Sequence, residues 1–261
     1  MTGGHETWNP RFPNTYDFVC SMGHYCGTAS YLRRHHLRRA SGPLDWNGES
    51  PAGLPGTVEI ICTDFKDFLR FENLTKLEHP TGEHDDMSNE YCRDEGTGNV
   101  FYHDFAYGVP LSETYPAVRS TYDRRIARFY GMVSAARRTL LIFHTIHDHP
   151  GPEGTVQALS RLRGRLGDRV DLLVIEHEEG AASPAFREVT PGAYYAKGHF
   201  FRAEVHWLLG DHTVLDRLYG AIPLRHKRLL RLKRMLGRLF ASLHLSREAR
   251  HRARRRAVEK D

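Results

Sequence analysis

Thr139-Leu140-Leu141-Ile142-Phe143 and Val170-Asp171-Leu172-Leu173-Val174-Ile175 are the two stretches whose reading decides the fold. Each is a nearly continuous apolar run. A strand covered on one face alternates apolar and polar residues, whereas a strand covered on both faces does not. Residues 155–166, between the runs, suit a helix. Strand, helix, strand with this patterning predicts a βαβ unit in a buried parallel sheet. Moving outward, Tyr16-Asp17-Phe18-Val19-Cys20-Ser21 reads as a short strand, Met22-Gly23-His24-Tyr25 as a turn, and the segment from Cys26 to Arg39 as a helix turning Ala29, Leu32 and Leu37 inward. Residues 41–56 hold three prolines and four glycines and read as a loop. A helix is predicted over 57–74 with Phe65, Phe68, Leu69 and Phe71 as anchors, a polar surface loop over 78–99, and a second short strand at Asn99-Val100-Phe101-Tyr102-His103. A long helix follows over 116–137, with Val118, Tyr122, Ile126, Phe129 and Val133 at helical spacing, and a short one over 211–219. The predicted class is α/β, a three-layer sandwich around a mainly parallel sheet, with a basic amphipathic helix at the C-terminus.

The chain has 261 residues, 40% hydrophobic and 26% charged, which excludes collagen-like, low-complexity and core-starved disordered classes. Its formal net charge of +5 is unevenly placed. From Arg225 to Asp261 there are 14 Lys+Arg and 3 Asp+Glu, a net of +11; the remainder carries 23 basic and 29 acidic residues, a net of −6. Leu229, Leu232, Leu236, Leu239 and Leu243 form an apolar seam between arginines and lysines, and the stretch after Ser246 has almost nothing to bury. The predicted organisation is an N-terminal arm over 1–13, one α/β domain over 14–222, and the basic segment over 223–261. An anionic membrane surface or nucleic acid is the partner expected of that segment alone. No stretch has the apolar length to span a bilayer, and the N-terminus lacks a signal-peptide core. Four cysteines (Cys20, Cys26, Cys62, Cys92) without a CxxC pair point to reduced thiols and a cytoplasmic chain.

In an open parallel sheet, ligands bind at the carboxyl ends of the strands. Ser21, His24 and Cys26 follow the first predicted strand, His103 and Asp104 the second, His144, His147, Asp148 and His149 the third, and Glu176 and His177 the fourth. Cys26 is the most specific of these. It opens a helix directly after a glycine-containing turn, where the helix dipole lowers a thiol pKa and backbone N–H groups can hold an oxyanion. A nearby histidine would complete a Cys–His pair. The bland alternative is a buried structural cysteine. His144-x-x-His147-Asp148-His149 is dense in metal-capable groups, but its spacing does not match a helical ligand pair and no separate ligand set is identifiable; no cofactor is expected.

Several motifs in order resemble one known family. They are Ser21-x-Gly23-x-x-Cys26, Leu32-Arg33-Arg34, and Ser41-x-Pro43-Leu44-Asp45-Trp46, then Asp64-Phe65-Lys66-Asp67-Phe68-Leu69 with Glu72-Asn73-Leu74. Phe101-Tyr102-His103-Asp104-Phe105, Arg124-Arg125-Ile126 with Arg128-Phe129, and Trp207-Leu208-Leu209-Gly210-Asp211 complete the set, which spans residues 16–219. The family is named for papain-like cysteine peptidases. The chain departs from its pattern at Leu44, where phenylalanine is usual, and in the His-rich stretch, where arginine is more common. The resemblance implies that Cys26 is a nucleophile and His103 its base. It also implies a papain-like fold, a helical half beside an antiparallel barrel, whereas the two apolar runs predict a parallel layer. With a parallel layer, a strand-turn-nucleophile arrangement also admits esterase or acyltransferase chemistry and lets Ser21 compete with Cys26. Asp104 adjoins His103 on a strand and so faces away from it, leaving Asp45 or Asp211 as the orienting group. The alternative to an enzyme is a non-catalytic binding or scaffold protein that holds a nucleotide, sugar phosphate or glycan at the strand ends.

Overall fold

The computed structural model describes residues 8–24, 26–48, 52–78, 89–201 and 210–225. The order of elements is β1 (Phe18–Ser21), α1 (Gly27–Arg34), α2 (Gly53–Cys62), a 3-10 turn (Phe71–Asn73), β2 (Leu74–Lys76), β3 (Asn89–Asp94) and β4 (Val100–Ala106). Then come α3 (Leu111–Ala135), β5 (Thr139–Thr145), α4 (Gly151–Leu166), β6 (Val170–His177), β7 (Ala185–Thr190), β8 (Ala193–Gly198) and α5 (His212–Ala221).

The two apolar runs become β5 and β6, adjacent at the centre of a five-stranded sheet of order β1-β5-β6-β8-β7. β1, β5, β6 and β8 are parallel and β7 closes the edge antiparallel to β8. Every residue of β5 and β6 is buried, as expected of strands covered on both faces. Alternate residues divide between the faces. Phe18, Cys20, Leu141, Phe143, Leu172 and Val174 join one core with residues of α2, α3 and α4. α1 packs on β1, β5 and α5, while α4 packs on β6, β8 and α2, giving helix, sheet and helix layers. Each fully buried Leu, Ile or Val in this core contributes about 1.5–3 kcal/mol. The α/β sandwich built on a mainly parallel sheet is therefore the fold.

A second sheet, of order β2-β3-β4, is antiparallel. This corrects the sequence expectation for His103 and Asp104. Their strand, β4, belongs to this separate sheet and does not contribute to the parallel edge. A short strand of mixed polarity carries no signal that distinguishes the two kinds of pairing. β3 falls in the predicted loop over 78–99 because its sequence, Asn89-Glu90-Tyr91-Cys92-Arg93-Asp94, lacks both an apolar run and clean alternation.

Several helix boundaries also differ: the helix expected from Cys26 to Arg39 ends at Arg34, and the one expected over 155–166 starts at Gly151. The helix predicted over 57–74 starts earlier, at Gly53, and stops at Cys62. Beyond it Asp64, Phe65 and Leu69 have φ near +58°, a conformation that bulky residues adopt only under tertiary constraint. The constraint is visible. Leu69 N donates to Asp94 Oδ2 at 2.7 Å, Arg119 Nη1 to the Phe68 carbonyl at 2.6 Å, and Tyr115 OH to the Leu69 carbonyl at 3.1 Å. α3 starts at Leu111, five residues before Pro116, which the helix accommodates just beyond its first turn at the loss of one amide bond. The amphipathic helix and frayed tail expected beyond Arg225 lie outside the described residues, as does most of the arm before Trp8.

The N-terminal edge of the parallel sheet is tied by one carboxylate. Asp171, fully buried, accepts from Arg138 Nε and Nη2, both at 2.8 Å, from Arg163 Nη2 at 3.0 Å, from Tyr16 OH at 3.0 Å and from Asn14 Nδ2 at 3.1 Å. Two guanidinium groups and two neutral donors thus satisfy a single buried charge.

Candidate functional site

At the opposite, C-terminal edge, the turn after β1 is shaped by its glycine. Gly23 has φ +82°, and a Cβ there would lie 2.8 Å from the Leu44 carbonyl oxygen, so a side chain would meet backbone that cannot move aside. Ser21 Oγ accepts from Gly23 N at 3.0 Å and is buried. His24 follows, also with positive φ (+67°), its ring 4.8 Å from that of Phe143. The chain then enters α1 with Cys26 at the N-cap.

Burial pushes the Cys26 thiol up, while the backbone N–H groups of Cys26 and Gly27 act on the sulfur in the opposite direction. Burial is the larger effect, so the thiol is neutral at rest rather than depressed as its helix position alone predicts. Among the described residues no hydrogen bond joins Cys26 to a histidine.

The N-termini of α2 and α4 lie at the same edge and differ from that of α1. Leu54 N, in the first turn of α2, donates to Asp148 Oδ2 at 2.8 Å; Gly151 N, at the start of α4, donates to Glu176 Oε2 at 3.1 Å. Gly53 is required beside the first of these, because its Cβ would fall 2.4 Å from Asp148 Oδ2. Two of the three helix ends therefore already hold a carboxylate, and the third holds an uncharged thiol. Asp211 caps α5, accepting from Thr213 N at 2.9 Å and Val214 N at 3.4 Å.

Histidines from four neighbouring strands gather beside these helix ends. His144 is fully buried, and burial, then His177 and His24, push its pKa down to about 3. His177 is also lowered, by burial and then by His199, whose ring is 5.2 Å away. Phe200 N donates to His177 Nδ1 at 3.1 Å. His147 and His149 are exposed, and His149 Nδ1 lies 3.4 Å from Glu176 Oε1. Asp148, at the heart of the His-rich stretch, is occupied by α2. Among the described residues no three His, Cys, Asp or Glu side chains come together as a metal site.

The remaining candidates form a second cluster, on the antiparallel sheet. His103 is exposed on β4 and its ring meets the Trp46 indole perpendicularly, with centroids 6.3 Å apart. Arg33 and Arg38 place their guanidinium groups 5.6 and 5.5 Å from the Trp46 centroid. Asp45 is buried and accepts from Arg38 Nε at 2.9 Å, Arg38 Nη2 at 2.5 Å and Gly42 N at 2.8 Å. Asp104 turns to the other face of β4, accepting from Tyr122 OH at 2.8 Å with Arg125 at 3.8 Å, and burial raises its carboxyl pKa. The structure thus brings Asp45 to Trp46 through Arg38, and Trp46 to His103. It keeps Asp104 and Asp211 on separate duties. In the sequence Leu37-Arg38 and Trp46 stand out only as parts of the family resemblance, without a role, because a cation over an indole has no periodicity to reveal it.

The family model described as "Putative papain-like cysteine peptidase (DUF1796)" matches residues 17–175. An uncharacterized protein of Acanthamoeba polyphaga mimivirus is 31% identical over 133 residues, which is 47% of this chain and 59% of the relative. The chain thus spans about three fifths of that relative's length. No solved structure matches the chain.

Proposed function

The chain belongs to the DUF1796 family, described as putative papain-like cysteine peptidases, and from that premise we propose that it carries out thiol-dependent acyl chemistry, hydrolysis or acyl transfer, with Cys26 as nucleophile and His103 as base. The observation that carries the reading is the contrast between the three helix N-termini at the sheet edge. α2 and α4 already hold the Asp148 and Glu176 carboxylates, whereas α1 holds a neutral thiol under two backbone N–H groups. Negative charge that develops there, as thiolate or as the oxyanion of a tetrahedral adduct, meets donors not already committed to a carboxylate.

Because burial favours the neutral thiol, a base must take its proton as the sulfur attacks the acyl carbon. On this assignment, which rests for His103 on the family resemblance and not on a contact with Cys26, His103 takes the proton and returns it to the leaving group, and water or a second acceptor releases the acyl group from Cys26. The catalytic unit in this reading is residues 14–222. The basic segment 223–261 is an appended contact for an anionic membrane surface or nucleic acid. Among the described residues no helix is long and apolar enough to cross a membrane.

Hydrolysis of p-nitrophenyl acetate by the full chain, compared with C26A and H103Q, tests the assignment. Both variants are expected to lose turnover, by about 10²-fold or more for H103Q. Undiminished turnover in a folded C26A sinks the nucleophile. A second reading, anion binding at the strand edge without catalysis, is favoured by the exposed imidazoles His147 and His149. It predicts C26A-insensitive binding of a sugar phosphate or nucleotide.

A further inference from the structure

We infer that Trp46 positions His103, and that Asp45 acts on that imidazole only through Arg38 and the indole. This rests on the reading of His103 as the base. An imidazole on an exposed strand position turns freely about two side-chain torsions, so a base there needs a wall to select one orientation. Neither neighbouring carboxylate supplies it. Asp104 faces α3 through Tyr122 and Arg125, and Asp45 accepts from Arg38 and the Gly42 amide. Among the described residues the rings that meet His103 are Trp46 and its chain neighbour Tyr102, each with its centroid 6.3 Å away.

Trp46 is itself held from several directions. Arg33 and Arg38 stand 5.6 and 5.5 Å from its ring centre, and Arg38 is fixed by the forked pairing with Asp45. The loop that carries the indole is fastened to β4. Asn47 bridges Phe101, Gly48 N donates to the Val100 carbonyl at 2.9 Å, and a Cβ on Gly48 would fall 2.2 Å from the Tyr102 ring. The loop and the strand bearing His103 therefore move as one piece. A perpendicular aromatic contact in such a frame favours one ring orientation by up to about tenfold. The motif Pro43-Leu44-Asp45-Trp46 gains a joint purpose in this way. The carboxylate fixes a guanidinium, the guanidinium fixes the indole, and the indole fixes the base. Lysine cannot replace Arg38, because a single ammonium lacks the fork that grips Asp45 while the guanidinium stands over the ring.

The test uses the histidine ring resonances of the full chain, with H103Q assigning the His103 signals, alongside p-nitrophenyl acetate turnover. W46A and R38K are expected to move the His103 ring signals toward those of a freely turning histidine and to lower turnover about tenfold or more. W46F, which keeps an aromatic wall, is expected to hold both near wild type. His103 signals unchanged in folded W46A or R38K overturn the inference, whatever turnover does. Turnover unaffected by H103Q overturns the base reading instead, and the ring signals of W46A still decide the positioning. R38K retains the Trp46 side chain while removing the group that fixes it, and carries the test if W46A does not fold.

Discussion

The two ends of the parallel sheet are built with opposite chemistry. At the N-terminal end one fully buried carboxylate, Asp171, takes donors from two arginines, a tyrosine and an asparagine, so every charge has an answer within the protein. At the C-terminal end the Asp148 and Glu176 carboxylates are bound to helix amides, and the thiol and two imidazoles beside them are held toward their neutral forms. Burial raises the Cys26 thiol, and burial with neighbouring imidazoles lowers His144 and His177. A closed ionic knot fixes strand register. A set of neutral groups at helix and strand ends is ready to exchange protons or meet new charge. On the proposed function, one end serves stability and the other chemistry.

The largest expected effect lies at the knot. D171A leaves the Arg138 and Arg163 guanidiniums without their common carboxylate and is expected to destabilise the fold by about 3–5 kcal/mol, read by urea unfolding. A loss below about 1 kcal/mol would mean that the network is ornamental and the contrast between the two ends false.

Next in size is a pH effect at the other end. His144 titrates near the ordinary histidine value when unfolded and near 3 when folded. Protons then bind the unfolded chain more readily, so the stability this group contributes is present above about pH 6.5 and is lost as pH falls toward 3. Between pH 7 and pH 5 the loss from His144 alone is expected to be about 2 kcal/mol. In H144L that part of the acid slope disappears, whatever the variant's absolute stability. An identical slope in wild type and H144L would show that the imidazole is not buried neutral.

A smaller effect separates the three helix ends. D148A removes the acceptor for Leu54 N and is expected to cost about 1 kcal/mol, seen as a lower melting temperature. C26A, at the N-cap of α1, accepts no such carboxylate-type bond and is expected to shift stability by less than D148A does. The reverse order would erase the distinction between committed and uncommitted helix ends.

Much of the frame is legible in the sequence because burial on both faces leaves a direct mark. Thr139–Phe143 and Val170–Ile175 could hardly be anything but central strands, and β5 and β6 pair in register from Thr139↔Val170. Strands β7 and β8 are harder, since Phe186 and Tyr194 sit among charged and small residues. The break after Cys62 is invisible, because it depends on Asp94 and Arg119, distant in sequence. The site divides in the same way. Cys26 at a helix start follows from a local pattern, Ser21-x-Gly23-x-x-Cys26. His103 was placed on the wrong sheet because pairing is a long-range property. Asp45 stands out as a carboxylate inside the matched motif, but its bonds to Arg38 depend on how α1 ends and the following loop returns.

The basic segment offers the mildest test of the division of labour. Deleting residues 247–261 is expected to weaken retention on heparin while leaving unfolding and ester turnover unchanged. Loss of fold or turnover on that deletion would place those residues within the catalytic unit.

The most direct test of the central claim is to trap the acyl-enzyme. The full chain is mixed with p-nitrophenyl acetate, quenched in acid, digested, and the acetylated residue located by mass spectrometry. The account predicts acetyl on Cys26, absent in C26A and slower to form in H103Q. Acetyl on Ser21, or on no residue of the turn while turnover continues, would contradict it.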